Sequence, residues 1–190
     1  MSYVKVSIPK AKGNPGAPEP KDPNIILINT RDIETFPKRE NGGVKIAEDI
    51  KLKDDAKAIS LYATPSTINR FDTSEGDPDA KGFIQNLTFD HPGDSLEFNE
   101  FVQENLGEDF VIITKECATE KGVRLHGTPC NPMQFNAEGQ DDNEAKKTTL
   151  TWASVQRSKF KAAHYYGEMP ALADEGEPDE GSGSDGSGMP

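Results

Sequence analysis

The clearest hydrophobic pattern along the chain lies in residues 83–114, where a helical repeat stands between two apolar strands. In the middle of this segment, apolar side chains return every three or four residues, at Phe98, Phe101, Val102 and Leu106. This spacing places them on one face of a helix and leaves the opposite face polar. The pattern therefore predicts a helix that packs one apolar stripe against a sheet containing strands 83–89 and 110–117.

Both ends of this helix, predicted at residues 95–106, carry local signals. The Pro-Gly step at 92–93 ends the preceding strand. Asp94 can cap the first turn, while Glu97, three residues on, can reach back to the cap amide. Gly107 stands where a left-handed residue favours the end of a helix. These signals agree, so the helix is the best-defined element that the sequence predicts.

The rest of the chain predicts strands, which makes the domain β-rich with one covering helix. Residues 24–29 form a continuous apolar run, suited to a strand that is buried on both faces. Residues 58–64 alternate, with Ile59, Leu61 and Ala63 on one face. About eight strands are expected in all. The remaining ones are predicted at 42–46, 123–127, 133–136, 147–155 and 162–167.

Two polar stretches are predicted as loops. Residues 65–82 are rich in Asp, Gly and Pro, and a loop of this length in a compact domain is usually functional or mobile, so we expect it to protrude. Its order Asp72-x-Ser74-x-Gly76-Asp77 lacks the ligand spacing and the Gly position of an EF-hand loop, which disfavours calcium. Residues 137–147 are predicted as a second, charged loop.

The length of 190 residues leaves room for one domain with tails, and only about a third of the residues are apolar. Residues 1–24 are dense in Pro and Gly, which predicts an extended arm. Whether this arm is a disordered leader or lies on a neighbour stays open. Residues 25–168 are expected to form the β domain. An acidic Gly/Ser tail follows at 169–190, with a composition typical of disorder.

The net charge of −12 is distributed unevenly. Six of these twelve charges fall in residues 173–190, and no Lys or Arg follows Lys161. Because phosphate contacts need clustered Lys and Arg, the acidic body disfavours attraction of a nucleic-acid backbone. It is compatible with a surface that DNA passes without sticking.

Cysteine content and hydropathy bear on the compartment. Two cysteines give no disulfide framework, and the first residues lack the apolar run of a signal peptide. No apolar stretch approaches the length that spans a bilayer. We therefore expect a protein without a membrane anchor that is made and folded in a reducing cytoplasm.

A search for catalytic chemistry finds no candidate. His91, His126 and His164 stand beside turns or strand ends and not beside a Ser, Cys or Thr in a nucleophile motif. No Gly-x-Ser-x-Gly elbow, P-loop or dinucleotide-binding glycine pattern occurs. The 33 acidic residues give no means of choosing an acid/base pair. The expectation is a protein that is not an enzyme and holds no cofactor.

The sharpest candidate for a metal site is the trio Cys117, His126 and Cys130, which lies within fourteen residues around a predicted hairpin. A closed zinc site needs four such ligands, and no Cys-x-x-Cys pair is present, so no metal is predicted. The favoured interpretation is that Cys117 is a small buried side chain at a strand end and that Cys130 is a free loop thiol.

Residues 83–166 contain an ordered series of short motifs. They are a His-Pro-Gly step, a helix, an Ile/Val-rich strand ending in Glu-Cys, a Leu-x-Gly strand, a Pro-Met-x-Phe strand and a Thr-rich closing strand, at 91–93, 96–106, 111–117, 125–127, 132–135 and 148–152. A polar loop precedes the last of these. This order resembles a virion protein family from tailed phages and prophages of Bacteroidota, over less than half of the chain.

The resemblance implies a tail tube-like fold, a β-sandwich or half-barrel with one flanking α-helix. It also implies that six copies form a ring, that rings stack through an arm or loop, and that the stacked tube conducts DNA without binding it specifically. The partners would be other copies and other phage tail proteins, in the tail of the virion. Residues 1–24 would suit the arm, residues 65–82 the stacking loop, and strands 83–89 and 110–117 the ring-forming surface.

Two other functions stay open. One keeps the virion but makes the chain a head-tail connector, a head-completion protein or a capsid decoration protein. The other is a monomeric β-sandwich module that binds a protein or glycan through its loops. Trp152, Tyr165 and Tyr166 would be its aromatic contacts, although burial in the sheet core is the favoured interpretation of these side chains.

Overall fold

The computed structural model of the chain describes residues 5–117 and 119–174. Within them the chain forms twelve strands and one α-helix, so the prediction of a mainly β fold with one helix is confirmed. In chain order the elements are β1 Asn24–Asn29, β2 Ile33–Thr35, β3 Lys45–Ile46, β4 Lys51–Leu52, β5 Ile59–Tyr62, β6 Asn69–Glu75, β7 Gly82–Pro92, α1 Leu96–Asn105, β8 Phe110–Glu116, β9 Thr119–His126, β10 Met133–Asp141, β11 Lys146–Ser154 and β12 Ala163–Tyr165.

Ten of these strands belong to one mixed sheet. Its order is β3-β12-β9-β8-β10-β11-β7-β6, with β1 attached to β8 and β5 attached to β1. The pair formed by β3 and β12 is parallel, and the other pairs are antiparallel. One half of the sheet consists of β3, β12, β9 and β8, and the other half consists of β10, β11, β7 and β6. The halves are joined at the first residue of β8, because Phe110 pairs with Met133 of β10. The inner faces of the two halves enclose the main core as a half-barrel.

Strand β1 is buried on both faces, as its apolar run predicts. Because side chains alternate along a strand, Ile25 and Leu27 enter one core cluster, while Ile26 and Ile28 enter the other. All four side chains are at most 3% exposed. The strand therefore separates the two cores of the domain.

The main core is rich in aromatic rings. The ring of Trp152 meets Phe110 edge-on at 5.6 Å between centroids and lies 4.7 Å from the ring of Phe135. Aromatic pairs of this kind contribute about 1 kcal/mol beyond the area that they bury. Both Trp152 and Tyr165 are buried, which confirms the interpretation that they belong to the sheet core. The same interpretation is wrong for Tyr166, which is 52% exposed because it follows the last residue of β12.

The helix begins one residue later than the sequence suggests. Ser95 is the N-cap, and its Oγ accepts a hydrogen bond from the amide of Phe98 at 3.3 Å. The prediction of Asp94 as the cap is wrong, because its carboxylate instead pairs with Lys146, at 2.9 Å between Oδ2 and Nζ. With the cap at Ser95, the third helical position is no longer Glu97, so the expected capping box is absent.

The apolar stripe of the helix covers the main core with three of its four predicted members. Phe98 is 5% exposed, and Phe101 and Val102 pack against the same cluster. The prediction for Leu106 is wrong, since this side chain is 62% exposed. Helical geometry ends at Asn105, and the extended backbone of Leu106 turns its side chain away from the stripe. Gly107 has the predicted left-handed conformation, with φ of 83°.

Both predicted loops contain strand residues. Residues 65–82 contain a short 3-10 turn and then β6, so the protruding loop shrinks to residues 76–81. Strand β6 pairs with β7 through its backbone at the sheet edge, where polar side chains are tolerated and the apolar alternation is lost. Residues 137–147 continue β10 and start β11, with a turn at 142–145. Asp142 closes this turn by accepting from two backbone amides.

Segments near both ends of the described chain are hydrogen-bonded to the backbone of the domain. Near the N-terminus, the amide of Asp22 donates to Lys115 at 3.1 Å and the amide of Cys117 donates to Pro20 at 2.9 Å. Near the C-terminus, residues 171–173 pair with Ala58. Residues 1–4 of the predicted arm and 175–190 of the predicted tail lie outside the described residues. In the part that is described, no helix is long and apolar enough to cross a membrane.

Candidate functional site

The candidate metal ligands do not form a site. Cys117 and Cys130 are both exposed, whereas His126 is only 2% exposed. The prediction that Cys117 is buried is wrong, because β8 ends at Glu116 and the thiol contacts the carbonyl of Lys21 at 3.0 Å. Among the described residues, no group of three or more His, Cys, Asp or Glu side chains could hold a metal ion.

A polar cavity of about 450 Å³ lies where the apolar core of the half-barrel ends. Along the inner face of β8, Phe110 and Ile112 belong to the main core, and the polar Thr114 and Glu116 follow them. The polar side chains that line the cavity come from three strands and from the segment before β12. They are Arg70, Asp72, Arg124, His126, Lys161 and His164.

Arg70 ties the edge strand β6 to the opposite half of the sheet. Its Nη1 donates to Thr114 Oγ1 at 3.2 Å and to the carbonyl of Gly122 at 3.1 Å. Its Nη2 pairs with the carboxylate of Glu116, which also lies 3.4 Å from the ammonium of Lys21. Burial lowers the pKa of Arg70, and the charge of Glu116 opposes this effect. Arg70 is therefore a neutralised structural cation that holds one wall of the cavity.

His126 is held as a neutral imidazole. Its Nε2 lies 3.2 Å from Thr114 Oγ1, which also accepts from Arg70. Its Nδ1 is buried without a partner among the described residues. Burial, and then the charges of Arg70 and Arg124, lower the pKa of His126 to about 3.

Arg124 and His164 form a second polar pair on neighbouring strands. A guanidinium only donates, so the contact between Arg124 Nη1 and His164 Nδ1 makes Nδ1 the acceptor and places the ring proton on Nε2. Burial, and then the charges of Arg124 and Arg70, lower the pKa of His164. In contrast to Arg70, Arg124 forms no ion pair with any carboxylate in the described part of the chain.

Asp72 anchors the segment that closes the cavity. Its Oδ1 accepts from the amide of Ala162 at 3.1 Å, and its Oδ2 lies 3.7 Å from the ammonium of Lys161. Three cationic side chains and one carboxylate, Asp72, line the cavity, while Glu116 neutralises Arg70 from outside the lining. No sequence signal pointed to this cluster, because its members stand up to 94 positions apart and only the fold brings them together.

The described surface also carries features suited to association between copies. Residues 5–20 are exposed throughout and have no regular secondary structure. Val6 and Ile8 of this segment are 72% and 91% exposed. Strand β10 pairs with β11 along its whole length but meets β8 only at Met133, so its second edge is open over residues 134–141 in the described sheet.

The predicted ring-forming strands offer no such edge. Strand β7 lies between β6 and β11, and β8 lies between β1 and β9. The prediction that these two strands form the ring surface stays a prediction, and such a surface would have to use their side chains, because their backbone groups are already paired within the subunit. Comparison of the chain with known protein families, with curated proteins and with solved structures found no match.

Proposed function

We propose that this chain is a self-assembling structural protein of a phage tail tube, in which six copies form a ring and rings stack into a DNA conduit. One observation carries the proposal. The N-terminal segment, residues 5–20, exposes the alternating apolar side chains Val6 and Ile8, while the subunit has open sheet edges. An extended segment and an open edge complement each other between copies.

The N-terminal segment has the chemistry of an added strand. Val6 and Ile8 fall on one side of an extended backbone and Ser7 falls on the other, which is the pattern of a strand with one face covered. These side chains are 72% and 91% exposed, so a partner that covers them would remove apolar area from water, which is favourable. The segment therefore favours binding to a neighbouring subunit.

The length of the segment suits this role. Residues 20–22 are anchored to the end of β8, so residues 5–19 are able to extend from that point. Fifteen residues span about 50 Å when fully extended. A domain of this size is about 35–40 Å across, so the segment can reach across an adjacent copy.

The open edge of β10 supplies a second contact. Pairing of this edge with a different surface of the next copy is a head-to-tail contact, which closes into a ring when the rotation between copies allows it. Because the loop expected at residues 65–82 shrinks to residues 76–81, we assign the stacking role to the N-terminal segment. The acidic net charge supports a conduit, since clustered Lys and Arg would hold DNA through its phosphates.

The proposal is tested by sedimentation velocity of the full chain over a range of concentrations. The double variant Val6→Asp/Ile8→Asp should weaken self-association at least tenfold, because it places charges in the buried face of the added strand. Ser7→Asp is the matched control, since it adds a charge to the opposite side of the same segment. It should leave association within about twofold of the unchanged chain.

The same experiment separates the alternatives. A chain that stays monomeric at its highest soluble concentration would contradict the proposal and favour a monomeric binding module. Equal association of the double variant and the unchanged chain would contradict the role of the N-terminal segment. Closed rings that never stack would contradict the tube and favour a connector.

A further inference from the structure

We infer that the polar cavity between β6, β9 and β12 is a binding site for a small oxyanion, a phosphate or carboxylate group. The inference is independent of self-assembly. It is based on the charge of the cavity, on the cationic donors that line it and on its volume of about 450 Å³.

The charge of the cavity is opposite in sign to that of the chain. The chain carries a net charge of −12, yet Arg70, Arg124 and Lys161 line one cavity together with two carboxylates, Asp72 and Glu116, near its walls. A local excess of positive charge within an acidic protein attracts anions to that point. Both histidines of the cavity are neutral at neutral pH because burial and these same cations lower the pKa of each, so they add no charge.

Arg124 differs from Arg70 because none of its observed contacts neutralises its charge. Arg70 is saturated by Thr114, the Gly122 carbonyl and Glu116. Arg124 instead donates to an uncharged imidazole and has no carboxylate partner among the described side chains. A half-buried guanidinium without an anionic partner is costly, and its fork of donors matches the oxygens of a phosphate or carboxylate.

One histidine of the cavity supplies a neutral donor. The contact with Arg124 leaves the proton of His164 on Nε2, which is available to donate to a bound oxyanion. Nδ1 of His126 is buried and is closed to a ligand in the open cavity, so the His126 ring forms part of the wall.

Isothermal titration calorimetry of the full chain with inorganic phosphate, and separately with acetate, tests the inference. We expect saturable binding of at least one of them with a stoichiometry of one per chain. Arg124→Gln should weaken this binding at least tenfold. Arg31→Gln is the matched control, because it removes the same charge from a side chain that is 77% exposed and paired with Glu108 outside the cavity. It should change the affinity by less than twofold.

A second measurement keeps the test valid if Arg124→Gln does not fold. NMR signals of the three histidine rings are followed in the unchanged chain during the phosphate and acetate titrations. Signals of His126 and His164 should shift with saturation, while His91, which stacks on Phe98 beside the helix, should not. Absence of binding by both anions, equal binding by Arg124→Gln, or equal shifts at all three histidines would overturn the inference.

Discussion

Thr114 of β8 and His126 of β9 share a buried hydrogen bond of 3.2 Å between Oγ1 and Nε2. Thr114 is 1% exposed and His126 is 2% exposed, so water does not compete for the contact. The pair stands at the boundary where the apolar core ends and the polar cavity begins. It therefore links the stability of the sheet to the protonation of an imidazole.

This pair predicts that stability falls with acidity in a defined range. The pKa of His126 is about 3 in the folded chain, because burial and then Arg70 and Arg124 disfavour the charged ring, whereas it is about 6.5 in the unfolded chain. Above pH 6.5 the ring is neutral in both states. As the pH falls below 6.5, the unfolded chain binds a proton that the folded chain does not, so stability is lost until the pH reaches the folded pKa. The free energy of unfolding should therefore drop by up to about 1.4 kcal/mol per pH unit below pH 6.5.

The measurement is urea denaturation between about pH 7 and pH 5, a range in which ordinary carboxylates in the unfolded chain remain mostly ionised. The unchanged chain should lose stability across it, with His164 adding a slope of the same sign because its pKa is also lowered. His126→Gln should be less stable at neutral pH and should have a shallower pH slope. Identical slopes would contradict the buried neutral assignment of His126.

The helix predicts a sharp contrast between two apolar residues of its predicted stripe. Phe98 is buried and stacks on His91 at 3.9 Å between ring centroids, so Phe98→Ala should lower the free energy of unfolding by about 3 kcal/mol. Leu106→Ala should change it by less than about 0.5 kcal/mol, because that side chain is 62% exposed. Urea denaturation measures both. Equal costs for the two variants would place Leu106 in the core and contradict the observed end of the helix.

The start of the helix gives a test on adjacent residues. Ser95→Ala removes the side chain that accepts from the Phe98 amide and should lower the free energy of unfolding by about 1 kcal/mol. Asp94→Ala removes only an exposed ion pair with Lys146 and should have an effect below about 0.5 kcal/mol. A larger loss in Asp94→Ala than in Ser95→Ala, measured by thermal or urea unfolding, would restore Asp94 as the cap.

Gly127 predicts a requirement for glycine at the junction of β9 and β10. Its φ is 76°, and a Cβ there would lie 3.1 Å from the Phe110 carbonyl and 3.2 Å from the Met133 amide nitrogen. Gly127→Ala should therefore lower the free energy of unfolding by about 2 kcal/mol or more. Gly139→Ala is the control, since no atom lies within 4 Å of its added Cβ, and its effect should stay within about 0.5 kcal/mol. A chain that tolerates both changes equally would contradict the tight junction.

Elements are predictable from the sequence where a local pattern and the tertiary environment agree. The run from Ile25 to Ile28 predicts a strand buried on two faces, and cores do lie on both sides of β1. Strand β6 was missed because its pairing with β7 uses the backbone, and a polar edge strand carries no apolar signal. Ser95 and Asp94 can both cap a helix. Which of them is the N-cap depends on backbone geometry, which the residue types alone do not determine.

The polar cavity could not be predicted because its members are far apart in the chain. Arg70 comes from β6, Arg124 and His126 from β9, and Lys161 and His164 from the segment around β12. Each of them looks like an ordinary surface residue in its local sequence. Only the return of β6 toward β8 and β9, held by Arg70, brings these side chains to one place.

In the proposed tube, copies of this chain assemble through the N-terminal segment and open sheet edges. Electron microscopy of the purified full chain at high concentration, with two-dimensional averages that report symmetry, tests this assembly. We expect closed six-fold rings and short stacks of rings, and we expect their loss in Val6→Asp/Ile8→Asp but not in Ser7→Asp. Isolated monomers in the images of the unchanged chain, or the same rings in the double variant, would contradict it.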